Sequence, residues 1–228
     1  MNEIVKYDTY LNKLDYSSLN TREQNVFMSI LAKIKNKELE EITLSYDELI
    51  DLANLKDNKL ESSRKYLIIE STKDKLFNIS CDVSVESEHG THSMSFHVFD
   101  KWENNEIAKM LTLSISPTFV KFVNNPQKFL SFPLHDFVML ESNYSKTLYR
   151  ILKQFDSIGT YKFHSVEQFR ELMHIPDTMP NKKIKVLLNQ VVSEISNKGY
   201  IKNLTYSIEK DLKKKGHPIK TITLKWDL

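Results

Sequence analysis

Twice along this chain the apolar residues keep helical spacing, lapse into a short strand, and return to helical spacing for two more helices. Each time they then switch to alternation. This succession of periods restricts the fold more than composition does. A 3.6-residue stripe cannot sit as a strand without turning part of its core face outward. In the first pass, Asn20-Thr21-Arg22-Glu23 reads as a helix start, with a polar N-cap and Glu three positions on. Val26, Phe27, Ile30, Leu31 and Ile34 then line one face. Ile42-Thr43-Leu44 reads as a strand, and Ser45 with Glu48 caps a second helix through Leu49, Ile50 and Leu52. A third helix is expected from about Lys59 to Thr72. Alternation then runs from Leu76 to Val85, a turn is read at Glu88-His89-Gly90-Thr91, and Met94, Phe96 and Val98 alternate again before a strand from Met110 to Ile115.

Asn124-Asn125-Pro126 breaks the chain. After it Ser142 caps a helix whose face is Tyr144, Leu148, Ile151, Leu152 and Phe155, and Gly159 stops it. Tyr161-Lys162-Phe163 is a short strand, and Ser165 with Gln168 caps a helix carrying Val166, Phe169, Leu172 and Met173. Pro176 and Pro180 bracket a turn, a long helix runs from Asn181 to Asn197, and two strands, Tyr200–Ile208 and Ile219–Trp226, flank a polar hairpin tip. Helix, strand, helix, helix, antiparallel sheet is the order of a winged helix. The expected fold is therefore α+β, two tandem winged-helix domains over residues 1–130 and 131–228.

Composition excludes several classes. No apolar run approaches the roughly 20 residues of a membrane span. The start Met1-Asn2-Glu3-Ile4-Val5-Lys6 lacks the basic-then-apolar pattern of a secretory leader. Cys81 alone cannot form an internal disulfide, so a reducing cytoplasm is expected. Net charge is +2, yet from Ser142 onward sixteen Lys and Arg face eight Asp and Glu, and the rest carries sixteen against twenty-two. A +8 segment behind a −6 segment points to a polyanion partner for the C-terminal part.

The helix Asn181–Asn197 carries the function. At 100° per residue Ile184, Leu187, Leu188, Val191, Val192 and Ile195 fall in a face about 140° wide. Opposite stand Lys182, Val186, Asn189, Gln190 and Ser193, flanked by Lys183 and Lys185, and Glu194 is the helix's one carboxylate. A helix seated in a major groove needs an apolar anchor face and an outer face of amides and cations. Asn and Gln match the adenine edge, and Lys reaches guanine O6 and N7. Lys182, Lys185, Asn189, Gln190 and Ser193 are thus candidates for base reading. Candidate phosphate contacts are Lys183, the hairpin-tip lysines Lys213, Lys214 and Lys215, and Lys146, Arg150 and Lys153 on the polar side of the first helix of this domain. The bland alternatives are a solvated amphipathic helix and a solvated turn. In the N-terminal domain Lys59, Ser62, Ser63, Arg64 and Lys65 occupy the equivalent helix among Asp57, Glu61 and Glu70, which favours a protein contact with auxiliary DNA contact at most through Lys59, Ser62, Ser63 and Lys65.

Enzyme readings lack their parts. A metal-dependent nicking enzyme needs a His-apolar-His pair, but Gly-Thr separates His89 from His92. Cys81, His89 and His92 match no standard zinc spacing. No Gly-Lys-Ser/Thr phosphate loop or Asp-x-Asp cluster occurs. No catalytic residue, metal or cofactor is expected.

The stretch Tyr144-Ser145-Lys146-Thr147-Leu148-Tyr149-Arg150-Ile151-Leu152-Lys153-Gln154-Phe155 resembles the Rep family of iteron-type plasmid replication initiators. So do Tyr161-Lys162-Phe163, Phe169-Arg170-Glu171-Leu172-Met173-His174-Ile175-Pro176 and the helix from Lys185 to Ile195, and more loosely Leu19 to Gln24. The resemblance implies a C-terminal winged helix that reads direct repeats (iterons) in double-stranded DNA at a plasmid origin. It also implies an N-terminal one serving dimerisation and auxiliary DNA contact. It further implies a homodimer in equilibrium with monomer, autorepression, copy-number control, and host initiator and helicase as partners. A winged-helix transcriptional repressor without replication activity, a rolling-circle nicking enzyme and a purely protein-binding module are the alternatives.

Overall fold

The computed structural model describes residues 3–14, 16–35, 37, 40–56, 61–78, 80–87, 90–124 and 128–228. It divides into two compact units, residues 1–139 and 140–228. The first runs β1 (Ile4–Asp8), a 3-10 turn (Thr9–Lys13), α1 (Thr21–Ile34), β2 (Ile42–Ser45), α2 (Tyr46–Leu52), α3 (Ser62–Asn78), β3 (Ser80–Ser87), β4 (Gly90–His97), β5 (Phe99–Asn105), β6 (Met110–Ile115), α4 (Pro117–Asn124), β7 (Phe129–Pro133) and α5 (Leu134–Val138). The second runs α6 (Asn143–Gln154), β8 (Thr160–Phe163), α7 (Val166–Leu172), a 3-10 turn (Asn181–Lys183), α8 (Ile184–Asn197), β9 (Thr205–Lys210) and β10 (Ile219–Lys225).

The helix starts form where the side chains can satisfy the free amides of a first turn. Asn20 Oδ1 accepts from the Arg22 and Glu23 amides while Glu23 accepts from the Asn20 amide, so both arms of the capping box are closed. Ser45 Oγ accepts from Glu48 N, Ser142 Oγ from Tyr144 N and Ser145 N, and Ser165 Oγ from Gln168 N. Each cap sits where the sequence placed it.

Both units close their sheets the same way. Among the described residues, each unit has a three-stranded sheet in which the strand after the first helix pairs antiparallel with that sheet's last strand, which pairs with the one before it. The orders are β2-β6-β5 and β8-β10-β9. Register puts Ile42 against Leu113 in one sheet and Ile222 against Phe163 in the other, all buried. Two units with no evident residue-by-residue likeness thus share one topology. The first adds the β3–β4 hairpin between α3 and β5.

Several expectations change. The boundary falls after residue 139 rather than 130, because β7 pairs with β1 and α5 packs on α1 within the first unit. Leu76 and Phe77 belong to α3, not to a strand. Leu76 continues the buried line of Ile69 and Thr72, and that helical stripe outweighs the brief alternation that follows it. The C-terminal hairpin begins at Thr205 rather than Tyr200, because Gly199 takes φ +71° and turns the chain, leaving Ile201 and Leu204 buried in the connection. β1, β5, β7, α4 and α5 were not anticipated. Leu60, Glu88, His89, Asn125 and Pro126, on which a helix start, a turn and the break were read, lie outside the described residues. None of the described helices is long and apolar enough to cross a membrane.

Candidate nucleic-acid interface

The second unit holds α8 by its apolar stripe. Ile184, Leu187, Leu188, Val191, Val192 and Ile195 are all buried, as the 100° projection required. Lys182, Lys183, Lys185, Val186, Asn189, Gln190 and Ser193 are all exposed. Glu194 is turned inward: its carboxylate accepts from the Glu141 amide at 2.6 Å and from the Ser145 hydroxyl at the start of α6. The outer face of the helix is left with cations and amides and no outward carboxylate.

The start of α8 is set by a brace the sequence did not reveal. Arg170, on α7, donates from Nη1 to the Pro176 carbonyl at 3.0 Å, and from Nη2 to the Met179 carbonyl and Asn181 Oδ1, both at 2.6 Å. One guanidinium therefore ties three acceptors of the turn that feeds the helix. No acidic residue lies in the first turn of α8 and no side chain caps it, so no local carboxylate offsets the positive end of its dipole.

The wing lies beside this end. A groove of about 670 Å³ runs between Asn181, Lys182 and Lys185 on one side and Tyr206, Ile208, Lys210 and His217 on the other. Tyr206, on β9, donates its hydroxyl to Asn189 Oδ1, joining wing and helix directly. Burial raises the affinity of that hydroxyl for its proton, which keeps it a donor. Beyond the groove, Lys213, Lys214 and Lys215 are exposed in the turn between β9 and β10, with Gly216 and His217 at positive φ. Lys214 lies 3.9 Å from the Asp211 carboxylate, and Glu209 is held by Lys220 at 3.0 Å, which lowers its proton affinity.

Of the predicted base-reading residues, Lys182 and Lys185 line this groove and Asn189 is tied to its wall through Tyr206. Gln190 lines a separate hollow with Lys183 and Val186, and the groove's lining holds none of Lys213, Lys214 and Lys215. The structure does not bring the α6 cations to the groove. Lys146 and Arg150 are 0% and 1% exposed, a correction to their reading as surface phosphate contacts. Residues 145 to 152 of α6 are all buried, so the polar side of this helix is covered as well as its apolar side. Burial pushes the Lys146 ammonium down to about 7; the Glu194 carboxylate opposes the shift, and Arg150 and Lys198 add to it. Lys153 is also largely covered, 3.2 Å from Asp156. In the first unit α3 occupies the place of α8, with Ser62, Ser63 and Arg64 exposed and Lys65 half-buried, while Lys59 lies outside the described residues. Arg170 and Tyr206 are the positions at this candidate site that sequence reasoning missed. The Pro176–Pro180 turn, rich in carbonyls and short of donors, was the available sign of the first.

Known proteins fit this geometry. The chain matches the WH1 model of the initiator replication protein over residues 4–153 and the WH2 model of the same initiator over residues 165–226. A protein of Bifidobacterium longum (strain NCC 2705) named "Probable replication protein rep" is 25% identical over 198 residues, 85% of this chain. This chain spans 64% of that relative's length. The crystal structure of Pi initiator protein in complex with iteron DNA superposes with a TM-score of 0.75 at 17% identity, covering 99% of this chain and 97% of that one. Domains 2 and 3 of RctB superpose at 0.55 with 10% identity, covering 91% and 82%. These likenesses carry the fold. Two winged-helix models in chain order, the first alone spanning more than half of the residues, place this protein in the initiator replication protein family.

Proposed function

We propose that this protein initiates replication of a plasmid by binding iterons in double-stranded DNA at the origin. The observation that carries the reading is the groove between the basic start of α8 and the wing, bordered by exposed amides and cations. Its structural neighbour Pi was crystallised with iteron DNA, which supports the same ligand class here. In this reading α8 enters the major groove. Lys182, Lys185, Asn189, Gln190 and Ser193 face base edges, and Lys183, Lys213, Lys214 and Lys215 meet phosphates. The first unit serves dimerisation, with auxiliary DNA contact at Ser62, Ser63 and Lys65, and the protein shifts between monomer and homodimer. Host initiator and helicase are its further partners, autorepression and copy control follow from binding its own origin, and its setting is the cytoplasm. No step is catalytic: binding energy alone does the work.

The test is selection of bound duplexes from a random pool by the full chain, followed by replication of a plasmid carrying the enriched sites and this gene alone. Enrichment of one motif, bound at roughly 10⁻⁸ to 10⁻¹¹ M, is expected. Absence of any enriched motif at moderate salt would overturn the reading. Enrichment without replication would leave a transcriptional repressor.

A further inference from the structure

We infer that Val186 reads DNA, by packing against the 5-methyl group of a thymine in the major groove. The inference rests on the reading of α8 as the groove helix. At 100° per residue, Val186 lies within about 10° of the line opposite the centre of the buried stripe, which makes it the outermost side chain of its turn. It is 54% exposed, although every other residue of that face is polar: Lys182, Lys185, Asn189, Gln190 and Ser193.

Val186 borders a shallow hollow with Met179, Leu187 and Val191, yet more than half of it stays exposed, and it is a weaker helix former than the Lys and Gln around it. Solvent gives no reason for it; a groove floor does. Among unmodified base pairs the major-groove edge offers one apolar group, the thymine methyl, and side chains without hydrogen-bonding atoms select it by contact. Val186 also sits in the first turn of α8, the end of a recognition helix that meets base edges. Ser193 shares its angular line two turns further on, where a groove helix rises away from the bases. The hydrogen-bonding neighbours would then read the polar edges of adjoining pairs while Val186 selects for thymine between them.

The test uses the full chain and the duplex site it selects. Each thymine of that site is replaced in turn by uracil, which removes only the methyl group. For the unaltered protein one position is expected to weaken binding about fourfold, the value of one buried methyl-sized contact. Val186→Ala should bind the thymine site more weakly and lose the distinction at that position, with an unchanged thermal midpoint, whereas Asn189→Ala should keep it. Selective binding with no uracil-sensitive position, or an equal penalty in Val186→Ala, overturns the methyl contact and leaves the proposed function standing. Failure to select any site overturns the reading on which the contact rests.

Discussion

Asn189, exposed on α8, has its oxygen engaged by the Tyr206 hydroxyl, which restrains the amide and leaves its two N–H donors and one lone pair for a partner. A side chain held this way loses less freedom on meeting a base than one that must be ordered at that moment. Asn189→Ala should therefore cost about 1–3 kcal/mol at one base position. Tyr206→Phe, which leaves Asn189 in place but unbraced, should cost about 1 kcal/mol at the same position. Competition binding against single-base variants of the site checks both, and a Tyr206→Phe loss spread evenly over all sequences would refute the brace. Lys146 gives a prediction of another kind. An unfolded chain holds its proton to about 10.5, the folded one only to about 7, with burial as the main cause. Between those values unfolding takes up a proton, so stability rises with pH across the window. Lys146→Met removes this group, and the difference in urea midpoint between variant and parent should favour the variant most near pH 6 and shrink toward pH 10. A difference independent of pH would show that the folded pKa is not depressed.

At the scale of elements, what was legible depended on whether neighbours in sequence or neighbours in space decide the outcome. Caps were legible because the bonds of Asn20, Ser45, Ser142 and Ser165 close within three residues. The α8 stripe was legible because burial follows its period. The polar side of α6 was misread because periodicity identifies a second face but not whether something covers it. β1 was missed because only Val5 and Tyr7 of its five residues are buried, and the strand it pairs with lies more than 120 positions away, so it carries little local signal. The Arg170 brace escaped although its acceptors lie only six to eleven residues on, since loop carbonyls form no motif and the Pro176–Pro180 turn was only an indirect sign of them. That brace can be tested as an element. Arg170→Ala should lose about 1–2 kcal/mol of stability, the net worth of its charge-assisted bonds at a half-buried site. Site affinity should fall further, because the turn that aims α8 is released. Arg170→Lys should not restore affinity, since one ammonium cannot reproduce a planar fork on three acceptors. Full rescue by lysine, measured by binding to the selected site, would reduce Arg170 to a bare charge.

Across the whole molecule charge is partitioned with the fold: residues 140–228 hold sixteen Lys and Arg against nine Asp and Glu, and residues 1–139 hold sixteen against twenty-one. The contrast is sharper than the totals, because in the second unit Glu194 is turned inward, Glu209 is paired with Lys220, and Asp211 lies near Lys214. Cations thus set the potential at this surface, and on the proposed function it is the second unit that should be steered onto DNA. The first unit's negative balance opposes indiscriminate adhesion to any polyanion. The division was visible in the sequence as a count, but which carboxylates are neutralised was not, since that depends on pairs such as Glu209 with Lys220 across a hairpin. Salt dependence reads the arrangement directly. Each phosphate neutralised adds about −0.9 to the slope of log affinity against log salt. Replacing Lys213 and Lys215 by Ala should flatten that slope by nearly two such steps, equally for specific and random duplexes, and leave the base preference intact. Lys214→Ala should change it less, because Asp211 already takes part of that charge. A slope unchanged by the Lys213 and Lys215 substitutions would make the wing a solvated turn and leave α8 to hold the duplex without it.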